Sequence, residues 1–400
     1  MKPRVAHAIA RSLIHRGRWV CSQHRAPVEA APAVIAVAMH CMHIVGPVWH
    51  STGDPAAPIT RLSPILATVP AMPAPAPFLR RQCLPAAALV LVAAALVAAG
   101  CGSSDDAGGD AAPGAIDVVA TTTQLGDVVR EVGDDHVAVH QILQPNTDPH
   151  EYEPRPDDVK RTAGAKVVFE SGDNLDRWMG DVVAQSGSDA DVVDVGATVP
   201  DRLPGEDSGE EASEYDPHWW HDPANVEAAI GTVEGALAKA DPANAKAYAA
   251  NAARYLAKVQ ALDAGIEACF AKVPPGDLKL VTDHDAFGYF AKRYGLDVVG
   301  AVIPSQTTKA QPSAKELTEL TRTIKAEHVK AVFPESSVNP KLAQAIARTT
   351  GARADLELYG DTLGPKGSSG DTYLKMEQAN ADAMVTGFTG GEQHCAIPGV

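Results

Sequence analysis

The sequence predicts an α/β protein made of two Rossmann-like lobes with parallel sheets, joined by one long rigid helix. Three observations lead to this class. Short β-branched runs alternate with helical segments before position 172, and they do so again after position 277. A much longer helical pattern lies between these two halves. Strands that alternate with helices of ten or more residues form parallel sheets covered on both faces.

Predicted strands and helices follow one another in the N-terminal half. The strand AIDVVATT (115–122) precedes the helix QLGDVVREVG (124–133) and the strand HVAVHQIL (136–143). The helix PDDVKRTAGA (156–165) and the strand KVVFESG (166–172) come next. β-Branched residues suit a pleated sheet, so this half predicts one lobe, over residues 116–240.

The C-terminal half repeats the alternation. Its seven segments, beginning with a strand, are DLKLVTD, DAFGYFAKRYG, LDVVGAVIP, SAKELTELTRTIKAE, HVKAVFPES, NPKLAQAIARTTG and ADLELYG. This pattern predicts a second lobe of the same kind, over residues 274–400.

One long helix is predicted between the lobes, over residues 241–273. Asp241 suits its N-cap and Pro242 its first helical position. Apolar residues form a single stripe along it, at Tyr248, Tyr255, Val259, Leu262, Ile266 and Phe270, and two prolines end it. About 30 residues give a helix on the order of 45 Å, which we interpret as a brace rather than a hinge.

The first hundred residues predict targeting rather than fold. Two arginines precede an uncharged apolar run from Leu84 to Ala99. Because this run is shorter than the roughly 20 residues of a transmembrane helix, we assign a secretory signal peptide to residues 72–100. Residues 1–71 remain an unassigned N-terminal extension, since Met72 suits the true start of the protein.

A cysteine directly follows the apolar run. The small residues before Cys101 resemble a bacterial lipobox, although Ala98 stands where leucine is usual. The resemblance implies that Cys101 is lipidated and anchors the chain to a membrane through a flexible linker, residues 101–115. An ordinary signal peptide with an unmodified cysteine is the alternative. Both predict an extracytoplasmic protein, at the cell surface or in the periplasm.

The body that follows the leader is strongly acidic. The formal charge is −16, but residues 1–100 carry nine Lys or Arg against Glu29 and Asp54, so residues 101–400 hold −23. This charge repels phosphate and argues against a nucleic-acid partner. It is compatible with handling cations, although acidity also serves solubility.

Four polar residues stand at comparable points of this topology. His150 follows the strand HVAVHQIL, and His218 lies in YDPHWWHDP. His284 lies where a strand turns into a helix, and Asp361 ends the last strand. Ligands of open parallel sheets bind beyond the carboxyl ends of strands, so these side chains can face one crevice. Three imidazoles and one carboxylate suit Zn²⁺, and suit Mn²⁺ less well.

Each of these residues also has an ordinary structural explanation. A lone loop histidine such as His150 is commonly a capping or solvated group, and His284 suits a polar helix start. Asp361 suits a turn or an N-cap. His218 and His221 could instead bind a metal as an i, i+3 pair, although the prolines on both sides argue against a continuous helix there.

From Ile116 to about Phe388 the chain resembles the metal-binding lipoproteins of bacterial ABC importers, the cluster A-I or zinc/manganese-uptake family. The segments that carry the resemblance are NTDPHEYEPRPDDV, DPHWWHDP, HDAFGYFAKRYGL and LYGDTLG with TYLKM. The resemblance implies two α/β lobes joined by one long helix, with the metal between them. Carried over position by position, it implies the metal ligands His150, His218, His284 and Asp361.

Several other residues are interpreted through the same resemblance. It implies that Glu335 holds an imidazole N–H rather than binding metal directly. The loop 201–216, DRLPGEDSGEEASEYD, lacks the histidines that zinc-specific members often carry there, which weakens the assignment of zinc. His221 stands where the family commonly has an apolar residue. We expect its side chain to be exposed, and a spare metal ligand is the alternative. Cys269 and Cys395 either pair outside the cytoplasm or remain free thiols.

The sequence thus predicts a monomeric extracytoplasmic protein that captures Zn²⁺, with Mn²⁺ as the alternative, and delivers it to an ABC permease. A secreted metallohydrolase is a second hypothesis, but catalytic zinc usually keeps one position open, and neither HExxH nor GxSxG occurs. A surface adhesin lipoprotein is a third. Metal-dependent hydrolysis would favour the enzyme, and the absence of metal-induced stabilisation would favour the adhesin.

Overall fold

The computed structural model describes residues 113–209 and 211–399. The predicted extension 1–71, the signal peptide 72–100 and the lipidation site Cys101 therefore lie outside the described residues, as does most of the linker. The lobe boundaries at 116–240, 241–273 and 274–400 stay predictions. None of the helices within the described residues combines the length and the hydropathy that crossing a bilayer would require.

The N-terminal lobe is built on four parallel strands in the order β2-β1-β3-β4. Their bounds are Ile116–Ala120 (β1), Val137–Gln141 (β2), Val167–Glu170 (β3) and Asp191–Asp194 (β4). Helices follow the first three strands, at Thr123–Gly133 (α1), Pro156–Thr162 (α2) and Met179–Ser186 (α3). Val118 and Val119 of the central strand are both buried, as expected for a sheet covered on two faces.

Two helices connect this lobe to the next, α4 at Pro223–Ala240 and α5 at Ala245–Phe270. With 26 residues, α5 is about 39 Å long. It packs against α1 and α4. All six residues of its predicted apolar stripe are buried: Tyr248, Tyr255, Val259, Leu262, Ile266 and Phe270. The stripe is therefore the face by which the long helix joins the core.

The predicted start of the long helix at Asp241 is wrong. Asp241 ends α4, where its backbone N–H donates to Leu237 O at 2.8 Å, and α5 begins after Asn244. The Asp241 carboxylate accepts hydrogen bonds from Asn244 Nδ2 at 2.7 Å and from the Tyr248 hydroxyl at 2.9 Å. This carboxylate thus joins two helices instead of capping one.

The C-terminal lobe has a smaller regular sheet. The parallel strands Lys279–His284 (β5) and Asp297–Ile303 (β6) pair with each other. The helices Gly288–Tyr294 (α6), Ala314–Ala326 (α7), Lys341–Thr350 (α8) and Tyr373–Phe388 (α9) complete the lobe. Ser313 caps α7 in a capping box with Glu316, which fixes the start of that helix.

The predicted strands HVKAVFPES and ADLELYG are wrong in extent. Both segments run parallel to the sheet, but they make only single bridges, Thr282 to Phe333, Ala331 to Arg353 and Glu335 to Leu358. Pro334 lies within the first segment and has no N–H to donate, which interrupts a regular ladder. The two segments still carry Glu335 and Asp361 to the carboxyl end of β5.

The helices between and behind the sheets share one hydrophobic core, to which α1, α4, α5 and α9 all contribute. At the end of α5, Cys269 forms a disulfide with Cys395, and their Cα atoms are 5.5 Å apart. The bond ties the C-terminal tail to the long helix.

Candidate metal centre

Four side chains from distant parts of the chain converge at one buried point. They are His150, His218, His284 and Asp361, and one nitrogen or oxygen atom of each lies within 4.8 Å of the others. Each residue is at most 3% exposed. The three imidazole centroids are 5.3 to 5.7 Å apart. Among the described residues, this is the one group of metal-binding type.

The Asp361 carboxylate lies between the three rings. Its Oδ1 is 3.4 Å from His218 Nε2, and its Oδ2 is 3.4 Å from His284 Nε2 and 3.9 Å from His150 Nε2. None of these five atoms makes a hydrogen bond, although all are buried. Buried polar atoms without partners are costly and uncommon in folded proteins. A cation placed among them would satisfy all five.

Each imidazole is held from behind by a carboxylate at its other nitrogen. His150 Nδ1 lies 2.6 Å from Glu211 Oε2, and His218 Nδ1 lies 2.7 Å from Asp216 Oδ1. His284 Nδ1 lies 2.9 Å from Glu335 Oε2, as an ion-pair contact outside hydrogen-bonding geometry. A carboxylate at Nδ1 favours the tautomer that carries its proton there, which leaves the Nε2 lone pair for a metal.

The sequence Asp-Pro-His occurs twice and forms the same local turn both times. The backbone N–H of His150 donates to Asp148 Oδ1 at 2.9 Å, and that of His218 donates to Asp216 Oδ1 at 3.0 Å. The proline in each turn fixes the backbone before the histidine. Asp216 also contacts its own histidine ring, whereas Asp148 accepts from Thr308 at 2.7 Å in the other lobe.

The remaining pair meets through the single bridges of the C-terminal lobe. His284 ends β5, and its backbone N–H donates to Glu335 Oε1 at 3.0 Å. Glu335 is 1% exposed and packs so closely against Gly360 that a Cβ there would collide with its Oε2. A glycine is therefore required directly before Asp361.

Within the centre, the carboxylates raise the pKa values of neighbouring imidazoles, and the imidazoles lower the pKa of Asp361. Burial alone would lower the pKa of His218, but the Asp216 carboxylate, together with Asp361, raises that pKa to about 9. Burial also opposes the charged form of His284, yet Asp361 and Glu335 raise its pKa well above the usual value. Burial would raise the pKa of Asp361, but the neighbouring imidazoles hold it well below its ordinary range. The centre therefore holds protons that a cation would displace.

Comparison with known proteins shows the family of this chain. The sequence profile of the ZnuA family, described as zinc-uptake complex component A, periplasmic, matches residues 118–387. The chain belongs to the ZnuA family. A relative from Halalkalibacterium halodurans, named manganese-binding lipoprotein MntA, is 32% identical over 300 residues, which is 75% of this chain and 97% of the relative.

Other known proteins are similar to this chain in sequence or in fold. The zinc-binding protein TroA of Treponema pallidum is 30% identical over 289 residues, covering 70% of this chain and 91% of the relative. Its solved structure superposes with a TM-score of 0.64 over 69% of this chain and 99% of that one. A Mn-bound protein of Candidatus Liberibacter asiaticus, 22% identical with a TM-score of 0.61, shares the fold over 68% of this chain and 99% of that chain.

His221 departs from its prediction in this ZnuA-family chain. We expected an exposed side chain, but His221 is fully buried and lies outside the four-residue group. Its Nδ1 is 2.8 Å from Glu377 Oε1 on α9, and its ring stacks on Phe287 at 4.3 Å. It therefore belongs to the packing between α9 and the turn after His218.

The acidic loop, defined as residues 201–216, supplies two carboxylates that sequence reasoning did not single out. Glu211 and Asp216 contact the imidazole rings of His150 and His218, whereas the sequence of this loop points only to its lack of histidines. The repeated Asp-Pro-His sequence is a signal that points to Asp216. No comparable pattern marks Glu211, which meets a histidine 61 residues away.

Proposed function

We propose that the protein captures one Zn²⁺ ion between its lobes outside the cytoplasm and delivers it to the permease of an ABC importer, with Mn²⁺ as the alternative ion. As a member of the ZnuA family, it is a substrate-binding protein for metal ABC transport. The metal is cargo rather than a catalyst. The observation that carries the proposal is the convergence of four buried side chains, each with one nitrogen or oxygen atom within 4.8 Å of the others.

The donor set favours zinc. Three imidazole nitrogens and one carboxylate form a four-ligand shell of the kind that zinc prefers. Mg²⁺ and Ca²⁺ prefer shells of oxygen only, so this set disfavours them. The two relatives described above are named for manganese and for zinc, so their names support a transition metal without deciding which one.

The four protein ligands also argue against hydrolysis. A catalytic zinc needs an open position for water, and four protein donors fill a tetrahedral shell. A family of importer components agrees with this interpretation. An adhesin role would leave the buried donor atoms unexplained.

A ligand substitution tests the site. We expect His150→Ala to lower Zn²⁺ affinity by more than about 100-fold, since loss of a partner behind a ligand already costs roughly 10- to 100-fold. The matched control is His394→Ala, which removes an exposed imidazole from the C-terminal tail. Competition titration with a chromogenic chelator gives both affinities. Equal affinities for the two variants would refute the site.

A thermal comparison tests the choice of ion. A ligand that binds only the native state stabilises it by an amount that grows with the logarithm of its affinity, so Zn²⁺ should raise Tm more than Mn²⁺ at equal concentration. A larger shift with Mn²⁺ would assign manganese instead. No shift with either ion would contradict metal capture altogether.

A fractionation experiment tests the anchor at Cys101. Lipidation requires the cysteine thiol, so Cys101→Ser should move the protein from the membrane fraction to the soluble extracytoplasmic fraction. Cys269→Ser provides a control because its cysteine lies in the folded body. Retention of the Cys101 variant in the membrane fraction would exclude the lipid anchor.

A further inference from the structure

The described residues of the acidic loop form a short hairpin that contacts the metal centre through Glu211 and Asp216. Pro204 and Tyr215 form an antiparallel bridge, and the backbone N–H of Gly205 donates to Glu214 O at 3.0 Å. Its base is fixed where Arg202 pairs with Asp173 and stacks on the Tyr215 ring at 3.6 Å. These contacts hold the base of the loop against the N-terminal lobe.

The loop is attached to the C-terminal lobe near its tip. Glu206 accepts hydrogen bonds from Ser305 Oγ at 3.0 Å and from the backbone N–H of Gln306 at 2.9 Å. Lys309 Nζ lies 3.0 Å from Glu211 Oε1. On the other side, Asn174 Nδ2 of the N-terminal lobe donates to Ala212 O at 2.6 Å. The loop thus connects both lobes above the site.

Glu211 is the point at which these attachments reach a candidate ligand. One of its oxygens contacts the His150 ring at 2.6 Å, and the other contacts Lys309 at 3.0 Å. Its side chain is 11% exposed. A small cavity beneath the loop is lined by Glu206, Glu211 and Gln306, and of the four candidate ligands only His150 lines it. His150 is therefore the candidate ligand that borders this cavity.

We propose that the acidic loop is a latch on the metal centre, in which Glu211 holds His150 in its ligating position and Lys309 holds Glu211. This inference rests on the proposed metal capture and adds a positioning residue to it. When the lobes separate, Lys309 and His150 move apart, and Glu211 cannot keep both contacts. Loss of the contact to His150 frees its imidazole ring to turn, which weakens the binding of the ion by this ligand.

The latch predicts a kinetic effect. Removing a carboxylate behind a metal-bound histidine costs roughly 10- to 100-fold, and we expect this loss to appear as faster dissociation. Glu211→Ala should therefore speed the release of Zn²⁺ into excess chelator by about that factor, measured by stopped flow on the full protein. Glu211→Gln, which keeps an oxygen acceptor, should restore part of the slow rate. The matched control is Asp207→Ala, an exposed acid on the same loop, which should release zinc at the wild-type rate.

A double-mutant cycle separates the latch from a general effect on folding. If Lys309 acts through Glu211, Lys309→Met should speed release on its own but add nothing to Glu211→Ala. Additive effects would overturn the latch, as would wild-type release from Glu211→Ala. If Glu211→Ala fails to fold, the same cycle with Glu211→Gln decides the matter. Failure of the wild-type protein to bind zinc would instead contradict the proposed function, so the two failures are distinguishable.

Discussion

At the scale of single residues, the metal centre repeats one unit three times. Each unit is an imidazole with Nε2 turned inward and a carboxylate at Nδ1, contributed by Glu211, Asp216 and Glu335. Such prior orientation reduces the entropy lost when an ion binds. The inward nitrogens also lie 3.4 to 3.9 Å from the Asp361 carboxylate, so a proton and a metal ion would compete for the same positions.

This competition predicts that zinc binding releases protons. The pKa of His218 is raised to about 9 and that of His284 is also raised, so both rings carry a proton at Nε2 near pH 7. A ligating imidazole must lose that proton, so binding should release about one to two protons per ion. Calorimetry at pH 7 in buffers of different ionisation enthalpy measures this number. The apparent affinity should also fall as the pH is lowered.

A value near zero would mean that the rings are already deprotonated in the metal-free protein. Asp361→Asn is the informative variant, because the loss of its charge removes one cause of the raised pKa values. We expect this variant to bind zinc more weakly and to release fewer protons.

The four candidate ligands could be predicted from sequence because His150, His284 and Asp361 follow predicted strands, and because His218 lies in the motif DPHWWHDP, which carries the family resemblance. The carboxylates that contact Nδ1 of the three histidines could be predicted only where a short motif or a resemblance marks them, as for Glu335. Glu211 has neither, since a hairpin loop has no periodicity and its contact to His150 depends on how the loop crosses the lobes. The burial of His221 was missed for a similar reason, because its partner Glu377 lies 156 residues further along the chain.

At the scale of elements, periodic segments were predictable, and their ends were less so. The apolar stripe of α5 identified its buried face, whereas its start moved from Asp241 to Ala245 because Asp241 ends α4. The N-terminal sheet formed its first three strands as predicted. The last two segments of the C-terminal sheet have strand-like composition, but tertiary packing around Glu335 and Gly360 determined their course.

The contact between α9 and the turn after His218 leads to a second prediction. His221 and Glu377 are both fully buried and form a pair at 2.8 Å. Removing one partner leaves an uncompensated polar group, so His221→Leu alone and Glu377→Leu alone should each lower the free energy of unfolding by about 3–5 kcal/mol. The double variant should be less destabilised than either single variant. Urea unfolding of the metal-free proteins measures these differences.

The control for this pair is Lys375→Met, which breaks the pair between the exposed Lys375 of α9 and Asp371 just before that helix, and should change stability by less than about 1 kcal/mol. If the double variant were less stable than both single variants, the pair would not be coupled. The free energy of unfolding would then depend more on how the side chains of His221 and Glu377 pack than on their polar contact.

At the scale of the whole molecule, the buried side chain of Asp127 connects the two lobes and the long helix. Asp127 of α1 accepts hydrogen bonds from the Tyr255 hydroxyl of α5 at 3.3 Å and from the backbone N–H of Tyr373, which begins α9, at 2.9 Å. Cys269 and Cys395 add a covalent link between α5 and the tail. These connections support the expectation that α5 restricts the lobes to small movements.

The same carboxylate should make the stability of the whole molecule depend on pH. Burial raises the pKa of Asp127 to about 6, against the lowering effect of the Tyr373 N–H. The folded state therefore binds this proton more tightly than the unfolded state, in which the pKa is about 4. Its contribution to stability is fully present below about pH 4 and is lost as the pH rises through 6, with a total of roughly 3 kcal/mol.

Asp127→Asn keeps an acceptor oxygen but cannot ionise, so the free energy of unfolding of the metal-free variant should lack this fall. Asp135→Asn, which removes an exposed acid just after α1, should keep it. Urea unfolding at pH 4.5, 6 and 8 distinguishes the two variants, and parallel pH profiles for both would mean that Asp127 ionises as freely in the folded protein as in the unfolded chain.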